Sequence, residues 1–119
     1  MATVEFTASS TGKIDSQNVS IVRWDFNAAA VGDVGEKIEL PGSSEKSVQI
    51  SGSNFNGATI LFEGSNDGDD WFTLNDAFGA PISAAVNKLV SVNENTRFVR
   101  PKNTVAEATD VSVTLVAKR

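Results

Sequence analysis

At 119 residues with a formal net charge of −5, the chain has room for one sandwich-sized core, and its acidity argues against wrapping free DNA or RNA, which relies on clustered Lys and Arg to neutralise phosphates. It has no cysteine and no histidine, which excludes disulfides, thiolate metal sites, Cys nucleophiles, the commonest general base and the commonest metal ligand. Hydrophobic residues at 40% and charged residues at 21% suit a folded chain, with no apolar run of membrane-spanning length. The expectation is one soluble domain with no cofactor, no nucleic-acid partner and no membrane partner.

Met1 to Phe6 lack the basic start and apolar run of a secretory signal, so folding in the cytosol of the producing cell is expected. Residues 1–18 are rich in Thr, Ser and Gly, with Val4, Phe6 and Ile14 as their clearly apolar members. They read as an N-terminal arm or an edge strand, and residues 19–119 as a single β-sandwich domain.

From Val19 the pattern changes. Val22, Trp24 and Phe26 alternate with Arg23 and Asp25, the period of a strand with one buried face. Gly32-Asp33-Val34-Gly35 marks a loop, Lys37 to Leu40 alternates again, and Pro41-Gly42 is a turn. Lys46 to Gly52 is the next strand, and Asn56-Gly57 is a pair favoured in hairpin turns because both residues tolerate positive φ. Residues 58–63 form the most apolar strand, expected to be central, with Ile60 and Phe62 on one face and Leu61 on the other.

A polar turn, Gly64 to Asp70, leads into a short strand at Trp71 to Leu74. Asn75 to Ala85 reads as a loop with room for one helical turn. Lys88 to Val92 and Arg97 to Arg100 are short strands, with Pro101 expected to end the pairing or to sit on an edge. The cleanest alternation is the last, with Val111, Val113, Leu115 and Ala117 opposite Asp110, Ser112 and Thr114. The pattern predicts an all-β fold, an antiparallel β-sandwich or a jelly-roll or Ig-like barrel of about eight to ten short strands with an extended N-terminal arm.

Asn66, Asp67, Asp69, Asp70 and Trp71 form a candidate exposed loop. Calcium takes several oxygens from one loop, but the full ligand pattern and a distal Glu are missing, and Asn-Asp-Gly is turn chemistry by itself. Trp24 and Trp71 could stack on sugars, although the alternation around Trp24 favours the core and packing under the acidic turn is favoured for Trp71. Acidic pairs have no specificity for glycoside chemistry, and no Gly-x-Ser-x-Gly elbow is present, so an enzyme is not expected. Arg97, Arg100 and Lys102 are the basic cluster outside the C-terminus; pairing with acids on an adjacent strand is favoured over docking on a neighbouring subunit's acidic patch. With Phe6 and Ile14 they make up the candidate interface.

Gly32-Asp33-Val34-Gly35, Lys46 to Gly52, Phe62 to Gly68, Trp71 to Asp76 and Arg97 to Pro101, taken in this order and spacing, resemble a family of small tailed-bacteriophage virion proteins whose genes lie near that of the major capsid protein. The resemblance covers residues 20–117. It implies a virion protein made in the host cytoplasm, most simply a capsid decoration or cement protein on the outer head surface. Its implied partners are the major capsid protein and further copies of itself, with a trimer favoured. A tail, baseplate or adsorption module, with carbohydrate binding as one form, is the alternative. The family brings no catalytic residue set.

Overall fold

The computed structural model describes residues 2–9 and 19–118. Among the described residues there are twelve strands and no helix: β1 (Thr3–Val4), β2 (Phe6–Ser9), β3 (Val19–Ala29), β4 (Val34–Gly35), β5 (Ile38–Glu39), β6 (Glu45–Asn54), β7 (Thr59–Ser65), β8 (Phe72–Thr73), β9 (Ser83–Ala84), β10 (Lys88–Ser91), β11 (Phe98–Thr104) and β12 (Ala108–Lys118). One sheet runs β10-β6-β12-β3-β2. The other runs β1-β4-β11-β7-β8, with β5 also on β11 and β9 also on β7. All pairings are antiparallel except β1 with β4, so the fold is the expected antiparallel sandwich.

Alternation decides which faces meet. Val22, Trp24 and Phe26 of β3, Val48 and Ile50 of β6, and Val111, Val113 and Leu115 of β12 point inward, where they pack against Ile60 and Phe62 of β7 and Val99 of β11. Trp24 is fully buried at the middle of this core. Its ring meets Phe62 of the opposite sheet edge-on at 6.4 Å and Phe6 of β2 at 6.2 Å. Its indole N–H donates to the Glu36 carbonyl at 2.9 Å, so the polar tip of a buried side chain is satisfied. Gly35 makes this approach possible: a Cβ there would lie 2.7 Å from Trp24 Cδ1 and 2.5 Å from Pro101 Cδ.

The described part of the N-terminal segment is paired with the body of the sandwich. The Ala2 N–H donates to Asp33 Oδ1 at 2.8 Å, and Val34 and Glu36 donate to the carbonyls of Ala2 and Val4. The chain then crosses at Glu5 and adds β2 to the other sheet beside β3. Residues 2–9 thus hem one edge of both sheets.

Several local expectations are corrected. Five of the twelve strands are two residues long, too short to show a period, which is why eight to ten were expected. Pro101 does not end the pairing; it lies inside β11, paired with Phe62, in the gap between the partners β5 and β4, where no ladder donor is required of it. Asn56 and Gly57 do take positive φ, +53° and +78°, but they turn the chain from one sheet to the other and close no hairpin. Residues 75–85 contain no helical turn; an Asn75–Pro81 bridge, an Asp76–Val92 bridge and β9 hold them.

At the end of the sandwich carrying the β11–β12 connection, buried Asn103 donates from Nδ2 to the carbonyls of Ala29, Ala30 and Ala106. Beside it Val105 has φ +76°, with Ala106 N–H donating to the Thr104 carbonyl at 2.9 Å, a γ-turn unfavourable for a β-branched residue. Because Val105 is 72% exposed, Val105→Gly relieves strain at little cost in burial and is expected to raise stability by about 1 kcal/mol. Gly35→Ala is expected to lower it by about 1–3 kcal/mol through overpacking against Pro101 and Trp24. Urea denaturation of both variants measures the two signs.

Candidate functional site

The acidic turn between β7 and β8 is organised from within. The Asp67 carboxylate accepts the N–H groups of Asp69 at 2.8 Å and Asp70 at 2.9 Å and the Ser65 hydroxyl at 2.9 Å. Ser65 Oγ in turn accepts the Gly68 N–H, and Gly68 takes φ +82°. Asn66 Oδ1 accepts the Arg97 N–H at 3.0 Å, tying the turn to the start of β11. The N–H of Asp70 above all, then that of Asp69, holds the Asp67 carboxyl well below the usual carboxylate range. Asp70 moves the other way, raised by its hydrogen bond to Asp67 and by that group's charge. Among the described residues no cluster of three His, Cys, Asp or Glu side chains is arranged to hold a metal ion.

Trp71 follows this turn and is half-buried on the outer face of the seven-stranded sheet. The Arg100 guanidinium lies over its ring at 4.0 Å, so that ring face is already covered. Arg100 Nε also donates to Glu63 Oε1 at 3.1 Å, across the β11–β7 ladder where the two residues stand opposite each other. Arg97 pairs with Glu39 of β5 at 2.5 Å and lies over the Phe98 ring at 4.9 Å. Lys37 caps the same ring at 5.0 Å. Lys102 stands two positions along β11 from Arg100, opposite Leu61 and Val34. Arg97, Arg100, Lys102 and Trp71 therefore share one region, and both arginines have acids from adjacent strands. Trp24, by contrast, is sealed in the core and offers no surface for stacking.

Phe6 lies on the opposite edge, half-buried against Trp24. Ile14 falls outside the described residues. The exposed apolar side chains of the connection from β8 to β10 escaped the sequence reading: Phe72 is 68% exposed, Phe78 97%, Val86 72% and Leu89 67%. They follow no common period, and the only available signal was the Ala77-Phe78-Gly79 sequence, an aromatic flanked by small residues in a loop.

A shallow groove of about 580 Å³ opens at the end of this region, between the acidic turn, Phe72, Asn75 and Glu94. Burial pushes the Glu94 carboxyl up, but the N–H and side-chain amide of Asn75, at 2.8 and 2.7 Å, together hold it below its ordinary value. Lys46 is buried nearby, its ammonium donating to the Ser43 carbonyl and Asn95 Oδ1, and burial lowers its pKa. What the region offers is a preformed surface of aromatic, cationic and acidic groups.

The Asp67–Asp70 pair makes a pH prediction. A carboxyl raised by folding, such as Asp70, contributes stability that is fully present below its unfolded pKa and is lost as pH rises through the folded value. Asp70→Asn is expected to raise Tm near pH 7, where it removes repulsion with Asp67, and to leave it unchanged near pH 3, where Asp70 is already largely protonated. Calorimetry at the two pH values reads this difference.

No family model and no curated protein matches the sequence. Solved structures do share the fold. SPBc2 prophage-derived protein YomS matches over 90% of this chain and 100% of its own, with a TM-score of 0.65 at 19% identity. The PBSX exported protein XepA matches over 92% of this chain, which spans 41% of XepA, with a TM-score of 0.57 at 11% identity. A recombinant oxalate oxidase in complex with glycolate matches over 95% of this chain and 50% of its own, with a TM-score of 0.50 at 12% identity. These likenesses concern the fold, and phage-derived proteins are among the structures that share it.

Proposed function

We propose that the chain is a non-catalytic structural protein of a tailed phage, a decoration protein that binds the outer surface of the head and bridges shell subunits. The observation carrying this reading is the set of exposed apolar side chains, Phe72, Phe78, Val86 and Leu89, on the stretch from β8 to β10, which passes from one sheet to the other. A closed core beneath them leaves the surface as the functional part. Exposed aromatic and aliphatic groups raised on a rigid scaffold are the means by which one protein grips another.

The ordered motifs shared with small phage virion proteins support the phage assignment, as does the common fold with a prophage-derived protein. Head decoration suits a small acidic sandwich: a modest interface repeated over many shell positions becomes strong through multivalency. We take the assembled unit to be a trimer, bound to the major capsid protein.

Cryo-electron microscopy of virions from the encoding phage tests the location. Density for the sandwich on the head supports the reading, whereas density confined to the tail or baseplate replaces it with a tail function. Phe78→Asp and Leu89→Asp are expected to leave Tm within about 1 °C of the parent, since both side chains are exposed, while weakening head binding at least about tenfold. Sedimentation of the variants with purified heads measures the loss.

A further inference from the structure

We infer that the groove between β1 and Trp71 on the outer face of the seven-stranded sheet receives a carboxylate from an acidic segment of a partner protein, with Arg100 as its central ligand. The groove measures about 320 Å³ and is lined by Thr3, Val34, Glu36, Lys37, Trp71 and Arg100 together with Gly35 and Gly68; the Glu36 carboxylate there accepts the Phe6 N–H. Arg100 is held by two contacts: Nε donates to Glu63, and the guanidinium plane rests on Trp71. Its side chain is only 19% exposed, and its terminal N–H groups have no acceptor among the described residues. A guanidinium that is oriented, largely desolvated and still carries unused donors is prepared for a bidentate acid.

The charges around it favour the same ligand. Lys37 and Lys102 have no carboxylate within ion-pair distance among the described residues; of the nearby acids, Glu39 and Glu63 are paired with Arg97 and Arg100, and Glu36 in the groove lining accepts the Phe6 N–H. Four of the ten Lys and Arg residues of a chain with net charge −5 therefore gather on this face. Arg23 on the five-stranded sheet shows the contrast, since Asp25 at 2.7 Å and Ser112 at 2.9 Å already occupy its donors.

The occupant is an acidic protein segment, and the phage head enters only as one source of it, resting there on the reading above. The ¹⁵N-labelled protein is titrated with a short oligoglutamate peptide at low ionic strength, with the Arg100 Nε–H and Trp71 indole resonances followed. Saturable shifts at both, abolished in Lys37→Glu/Lys102→Glu, are expected. No shift there, or shifts equally lost in a Lys88→Glu/Lys118→Glu control of the same charge, overturn the proposal. Purified heads form a second arm, in which the Lys37/Lys102 variant is expected to bind about tenfold more weakly than the control. Heads that bind neither the parent nor any variant, alongside saturable peptide shifts, overturn the head reading and leave the carboxylate site standing.

Discussion

The fold depends on the requirement that a buried indole find a hydrogen-bond acceptor. Trp24 contributes the largest side chain of the core, and leaving its N–H unpaired there would cost about 1–3 kcal/mol. The acceptor is a backbone carbonyl, Glu36 O, on the link between β4 and β5. That link reaches the indole only because Gly35 has no side chain to separate it from Trp24 and Pro101. The same segment receives the N-terminal strand, since Glu36 donates to the Val4 carbonyl and its side chain accepts the Phe6 N–H. One buried polar atom thereby ties β3, the β4–β5 link, β11 and the N-terminal hem into a common geometry.

The long strands were legible because each has one face in this core. In β3 and β12 strict alternation survives from sequence to burial, with Val22, Trp24 and Phe26 opposed to Val111, Val113 and Leu115. The short strands were not legible, since two residues carry no period and exist only where a neighbouring backbone offers partners. Pro101 misled for a related reason. The rule that proline avoids sheet interiors assumes an unbroken partner strand on each side, and β11 has instead two short partners with a gap between them. Asn56-Gly57 announced its backbone conformation correctly, yet a turn specifies φ and leaves open which sheet the next strand joins.

The candidate site divides along the same line. Arg97 and Arg100 were visible as a cluster, but Glu39 and Glu63 lie 58 and 37 residues away from them, and only strand register brings each pair together. The acidic turn was visible as turn chemistry, and its hydrogen bonds follow from the Asx geometry of Asp67. Phe72, Phe78, Val86 and Leu89 were hidden because an apolar residue in a sequence is ordinarily counted toward the core. Their exposure appears only once the core is complete without them.

The two kinds of surface group have different consequences for binding. Charges satisfied within the chain, such as Arg23 with Asp25 and Ser112, stiffen the sheet face and have little left to offer a partner. Arg100 and Lys102 on the seven-stranded sheet keep donors free, and Phe72 and Leu89 in β8 and β10 remain uncovered. Because their backbone is locked by strand pairing, a partner that docks there orders few new torsions, and less of its contact energy is lost to conformational entropy. The rigidity set by Trp24 in the interior thus bears on the outer face, where Arg100 and Trp71 are held ready by strands that the core has already fixed.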